Sequence, residues 1–167
     1  MCALDYSQVP TEKLLDLCSR SLNTMDGLWF LSVESKYGFD TAFELDMEVW
    51  RRVSLIHGRR LAELFAIRKD NPIQAFVELV QADPLKFAWK SEITVLNDTK
   101  AVLRRIECPP QEARIKTGKG TFPGDAICLA MYQSYAEVID PRIKISCLTS
   151  PPCAPRPQCW CEWQFEI

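Results

Sequence analysis

The chain has 167 residues, 47% of them hydrophobic and 25% charged, with a formal net charge of −2. That length suits one domain, and that balance excludes a disordered chain. The slight acidity excludes the basic stripe of a nucleic-acid surface, and the Arg pairs at 51–52, 59–60 and 104–105 are interleaved with acids or apolar residues, as solvated faces are.

The first residues, MCALDYSQVPTEK, hold neither a basic leader nor a long apolar run. No apolar segment approaches the roughly 20 residues that span a bilayer. The expectation is a cytoplasmic protein with no membrane partner, whose eight cysteines are mostly reduced.

Pro10 and Thr11 open a helix to about Leu22, with Leu14, Cys18 and Leu22 on one face. Asn23 or Thr24 is placed to cap a second helix that Gly38 ends. That helix carries LWFLSVESKYG, apolar on most sides, and is expected to be the most buried. Thr41 and Glu44 have the spacing of a capping box and predict a third helix to about Lys69. Phe43, Trp50, Val53, His57, Leu61 and Leu64 form its apolar stripe, and Gly58 within it marks a close approach. Asn71-Pro72 caps and starts a fourth helix to about Gln81, with Ile73, Phe76, Val77 and Val80 inward.

After Pro84 the period changes from helical to two. Trp89, Ser91, Ile93 and Val95 alternate with polar residues as in a half-buried strand. Asn97-Asp98-Thr99 turns the chain into a second strand over 101–107, giving a hairpin. A short helical piece over 111–116, a Gly-containing loop and a helix over 126–138 follow, and then two strands over 142–147 and 160–167. The class is α+β: N-terminal helices, then a β-β-α-β-β antiparallel sheet unit with helices covering one face. The single domain divides into a helical part, 1–83, and a sheet part, 84–167.

Strand parity suggests where a site lies. Val102, Arg104, Ile106 and Cys108 share one face of the second strand, as do Ile143, Ile145 and Cys147 on the third. Cys159, Cys161, Trp163, Phe165 and Ile167 share one face of the last. Parity therefore directs Cys108, Cys147 and Cys161 to the covered side. Three readings stay open for these thiols: packed small hydrophobes, a metal site, or the lining of a ligand pocket with one thiol as nucleophile. No Cys-x-x-Cys pair is present, and a single histidine excludes a His-rich metal centre. No metal ligand is assigned, and no cofactor is indicated. Cys128 sits in the first turn of a helix, where the dipole can lower a thiol pKa, but with no visible partner it reads as a packed residue. Cys153 belongs to the loop and to solvent, with Cys159 at the margin.

On the helices, Asp46 and Trp50 share an azimuth with His57 and are expected to line one cavity wall. Glu34, on an otherwise apolar helix, needs a partner, with Arg104, Arg105 or Arg114 as candidates, or lies exposed at a helix edge. TGKGTFPG lacks the phosphate-loop pattern, so no nucleotide site is read there.

LWFLSVESKYG, AFELDMEVWRR, IECPPQEAR, IDPRIKISCLTSPP and CWCEWQFEI together resemble a group of bacterial and archaeal proteins of unassigned function. That group is similar to aminothiazoline-carboxylate hydrolases and, more distantly, to vinyl-4-reductase-type small-molecule-binding domains. The resemblance covers the chain from about Met25 onward. It implies an enclosed pocket between helices and sheet. By position in the motifs it implies Glu34, Asp46, Trp50, Cys108, Gln111, Arg114, Cys147 and Glu162 as site residues. It also implies a cysteine near 121–124, where this chain has none.

The expected function is a small-molecule-binding domain; whether it is an enzyme is left open, and the resemblance implies hydrolysis of a C–N-containing, thiazoline-like compound. Cys108, Cys147, Glu34 and His57 are the catalytic candidates. Asp46, Trp50, Gln111, Arg114, Cys161 and Glu162 are the ligand-binding ones. The alternatives are a non-catalytic ligand-binding module, a homodimer held by an exposed Trp160 and the 151–157 loop, or a structural zinc protein.

Overall fold

The computed structural model describes residues 5–152 and 158–167. Cys153 and most of the 151–157 loop lie outside the described residues.

The expected break at Asn23 does not occur. One helix, α1, runs Thr11–Tyr37. Asn23 and Thr24 do not cap a new start. Their side chains donate back to the carbonyls of Ser19 and Arg20, at 2.9 and 2.8 Å. That local bond lets such residues sit inside a helix. Nor is this the most buried helix. Leu28 and Trp29 are exposed, and only Ser19 and Phe30 are fully buried. It packs against the helices at Phe39–Leu64 and Pro109–Lys116 and the turn at Pro84–Phe87.

Gly38, at φ 87, ends α1 and starts the next helix, α2, Phe39–Leu64. The positive φ makes the sharp corner that a Cβ would resist. Because the helix begins at Phe39, Thr41 lies inside it and no side chain caps it. The far end also falls earlier than Lys69. Ala66 takes a positive φ of 49, and Ile67 N–H donates back to Ala62 carbonyl at 3.0 Å, closing the helix. The inward face of α2 is Ala42, Asp46, Trp50, Ser54, Gly58 and Leu61, while Val53 and Leu64 are exposed. Small residues on that face let helix α5, Asp125–Ile139, come close. A Cβ on Gly58 would stand 3.1 Å from Tyr135 and 3.3 Å from Val138. Ser134 hydroxyl donates to Arg51 carbonyl at 3.0 Å beside this contact.

Helix α3, Pro72–Ala82, starts as the sequence predicts: Asn71 accepts from Gln74 N–H at 3.0 Å, ahead of the proline. The strands are β1 (Ser91–Asn97), β2 (Lys100–Arg105), β3 (Lys144–Thr149) and β4 (Cys161–Glu166), with the short α4 (Pro109–Lys116) after β2. They form one antiparallel sheet in the order β1-β2-β4-β3. Register breaks occur at Val95/Asn97 in β1 and Cys147/Thr149 in β3, both edge strands.

The covered face of β2 is the opposite of the parity expectation. Ala101, Leu103 and Arg105 are buried, because they pair with Phe165, Trp163 and Cys161. Arg104 faces away and bonds Glu162 at 2.9 Å. Helices α3 and α5 lie on the covered face, where Phe76, Tyr132, Trp163 and Phe165 pack with centroids 4.7–5.2 Å apart along the chain of contacts. Each such ring contributes several times the burial of an alanine.

Candidate functional site

A cavity of about 500 Å³ lies between α1, α2, the start of α4, the first turn of α5 and the start of β4. Its walls are largely aromatic: Phe30, Trp50, Trp89, Phe122, Trp160 and Trp163. Trp160, expected to be exposed, is half-buried in this wall because its N–H pairs with Arg105 carbonyl at 2.7 Å, one step beyond β4.

Two carboxyls face this apolar space from neighbouring helices, Asp26 on α1 and Asp46 on α2. Asp46 is 5% exposed, and its Oδ1 is sealed from water with no hydrogen-bond donor. Burial pushes the Asp46 carboxyl up to about 8, and the neighbouring Asp26 adds to the rise, while the Trp50 indole N–H opposes it. Burial likewise raises Asp26, with Asp46 and Trp50 acting in the other direction. Two adjacent carboxyls in a low-dielectric site do not both ionise near neutral pH, so the pair holds a shared proton.

Trp89 Nε1 donates to Asn23 Oδ1 at 2.6 Å, which fixes the ring as one wall, 6.3 Å from Trp50 between centroids. Gln111 is 3% exposed and braces the loop before α5: its Nε2 donates to Phe122 carbonyl at 2.7 Å, and Phe122 N–H donates to its Oε1 at 3.1 Å. Arg114 lies over the rings of Phe30, Phe39 and Phe122, at 5.8, 5.3 and 5.4 Å. It bonds Glu34 at 3.2 and 3.4 Å, and Lys119 adds a third contact to Glu34 at 3.1 Å. Burial pushes the Glu34 carboxyl up, but Arg114 and Lys119 together outweigh it, so its pKa is lowered overall. The partner that Glu34 needs is thus Arg114.

Three thiols share the cavity lining: Cys108 at the N-cap of α4, Cys128 and Cys161. Cys108 arrives there because β2 stops at Arg105 and the chain turns into α4, not by strand parity. All three are protonated species. Burial raises Cys108, pushes Cys161 up to about 12 and raises Cys128 further. For Cys128 this is opposite to the helix-dipole expectation, because desolvation outweighs the dipole in so buried a first turn. Trp163 Nε1 donates to Cys161 Sγ at 3.2 Å.

Of the sequence-predicted residues, Asp46, Trp50, Cys108, Gln111, Arg114 and Cys161 line this one cavity, and Glu34 touches it through Arg114. Cys147, His57 and Glu162 do not line it. Cys147 is on edge strand β3, where its thiol donates to Thr149 carbonyl at 3.4 Å. Glu162 is buried on the other face of β4. His57 shares an azimuth with Asp46, but eleven residues along a helix separate them by about 16 Å. Sequence reasoning missed Asp26. The signal was present: Asp26, Phe30 and Glu34 recur at intervals of four, visible once the helix is read as continuous.

Residues 7–167 match the model of a family of unknown function, DUF6125. The chain belongs to this family. No curated protein and no solved structure matches this DUF6125 member, so the resemblance to aminothiazoline-carboxylate hydrolases and vinyl-4-reductase-type domains gains no support there. Among the described residues, no group of three or more His, Cys, Asp or Glu is arranged to hold a metal ion. No helix among them is long and apolar enough to cross a membrane.

Proposed function

We propose that the protein binds a small, largely apolar molecule bearing a basic nitrogen, such as an aromatic amidine or a thiazoline-like ring. The reading rests on one observation: the neighbouring carboxyls Asp26 and Asp46 both line an aromatic-walled cavity of about 500 Å³. Cavities of this size and character suit small ligands oriented by one or two polar groups. An N–H of the ligand donates to this carboxyl pair from the cavity side. A cation also displaces the shared proton of the carboxyl pair.

Calorimetric titration with benzamidine, against neutral benzamide, tests this. Benzamidine should bind with release of about one proton at neutral pH, because Asp46 must ionise to receive it. Its affinity should rise with pH up to about 8 and then level off. Asp46→Asn should lower it tenfold or more, the effect of losing a charge-assisted bond of about 1.5–3 kcal/mol. Equal binding of benzamide, or an Asn variant that binds benzamidine as well as the parent, sinks the reading.

A second reading, hydrolysis of such a compound, is favoured by the same carboxyl pair. A protonated carboxyl beside an ionised one is the pairing that acid–base chemistry needs. Asp26 would take a proton from water as its oxygen attacks the C=N carbon and Asp46 protonates the nitrogen; in the tetrahedral species Asp26 would then give its proton to the same nitrogen as the C–N bond breaks, while Asp46 takes the hydroxyl proton and C=O forms. The protonated thiols are placed as lining in this scheme, not as nucleophiles. Incubation of 2-aminothiazoline with the protein in isotope-labelled water, followed by mass spectrometry, separates binding from turnover: no labelled product means binding alone.

A further inference from the structure

A second cavity, about 550 Å³, lies on the other side of Trp89, between the β1–β2 hairpin, the end of α3 and α5. Arg105 lines it. Arg105 is 6% exposed and sits at the end of β2, opposite Ser91 and Cys161. That register turns it toward the helices.

The donors of this guanidinium can be counted. It has five N–H groups and cannot shed its charge. Nη1 gives two, to Trp89 carbonyl at 3.1 Å and to Ser91 hydroxyl, and Nη2 gives one, to Tyr132 hydroxyl at 3.0 Å. All three acceptors are neutral. The Trp89 ring lies 5.0 Å from the charge. Two N–H groups remain, on the edge formed by Nε and Nη2. Nε has no hydrogen-bond partner among the described residues and is not one of their sealed polar atoms, and Arg105 lines the cavity. No described carboxylate ion-pairs with it. Asp83 lines the same cavity but is occupied, accepting from Leu85 N–H at 2.8 Å and from Tyr135 hydroxyl. Glu107 stands exposed at the rim, and Lys86 and Lys90 add positive charge beside it.

We propose that this second cavity binds a small organic carboxylate, held side-on by Nε and Nη2 of Arg105 with its apolar body against Trp89, Ile93 and Met131. A carboxylate fits for three reasons. Its two oxygens match two coplanar N–H groups. Its single charge balances a buried cation that has no carboxylate counter-ion among the described residues. The surrounding walls supply apolar contact for a carbon body. The site is independent of the first cavity and of the ligand proposed there.

The test is NMR of the arginine Nε–H resonances of the full chain, titrated with sodium benzoate. One resonance, assigned to Arg105 by its loss in Arg105→Lys, should shift saturably. Neutral benzamide should leave it in place, and inorganic phosphate should bind more weakly than benzoate. Calorimetric titration with benzoate, which does not depend on that resonance, should show Arg105→Lys lowering affinity roughly tenfold or more, because a lysine lacks the planar fork. Glu107→Lys, an exposed change that does not threaten folding, should tighten benzoate binding severalfold, whereas Asp46→Asn should leave it unchanged. The proposal is overturned by any of three results: no shift at millimolar benzoate, equal response to benzamide, or benzoate affinity unaffected by Glu107→Lys.

Discussion

The two cavities share the Trp89 ring as a partition yet solve opposite electrostatic problems. On one side, Asp26 and Asp46 are acids in an apolar space, and they relieve their charge by keeping a proton. On the other, Arg105 cannot lose its proton, so it is surrounded by a carbonyl, two hydroxyls and an aromatic face. The lesson concerns the sign of the group. A buried carboxyl can change its state to suit its surroundings, whereas a buried guanidinium must have its surroundings built for it.

The strongest way to break this comparison is to remove the partition. Trp89→Ala should lower stability by about 4 kcal/mol, as large aromatic truncations do, and should abolish benzamidine and benzoate binding together. Denaturant midpoints and the two titrations measure it.

Next in size is the proton on Asp46. Its folded pKa, about 8, lies above the ordinary carboxylate value of 3.8. Between those pH values the folded chain holds a proton that the unfolded chain releases, so stability falls as pH rises through that window. Asp46→Asn removes the penalty. Chemical denaturation at stepped pH should show it nearly neutral at the acid end of the window and stabilising by several kcal/mol at the alkaline end. A variant with the same pH slope as the parent would mean that the carboxyl pair is not the source.

On the guanidinium side no such slope is expected. Ser91→Ala takes one acceptor from Arg105 and should destabilise by about 1 kcal/mol at every pH from acid to mildly alkaline, since neither group titrates there. The smallest effect gives the baseline. Thr41→Ala, away from both cavities and in a helix that it does not cap, should change stability by less than about 0.5 kcal/mol. A loss near 1 kcal/mol, the usual value of an N-cap, would move the start of α2.

Much of the fold was legible because its signals are local. The Asn71-Pro72 start, the hairpin turn at Asn97-Asp98-Thr99, the close approach at Gly58 and the inward parity of Cys161, Trp163 and Phe165 all follow from chemistry within a few residues. The errors have tertiary causes. Asn23 and Thr24 have capping chemistry, but their side chains serve their own helix. Parity on β2 failed because the apolar Val102 and Ile106 lie on the same alternation as Arg104, while the buried cation Arg105 follows the inward Ala101 and Leu103. A sequence reader assigns a lone arginine to solvent, and only the ring of Trp89 and the hydroxyls of Ser91 and Tyr132 reverse that. The cavity itself was half legible. Asp46 and Trp50 share a turn of one helix, but their pairing with Asp26 is made by a corner at Gly38, which brings two distant turns together.

The register breaks in β1 and β3 carry one further consequence. Both lie on the two outer strands of the sheet formed by the described residues. A flat outer strand is a template for another molecule's strand and for fibre growth. Here each outer strand is broken in step near one end, and Glu92 and Lys144 project charge along it. Among the described residues the sheet has four strands, and a kinked, charged outer strand is a poor template for a fifth.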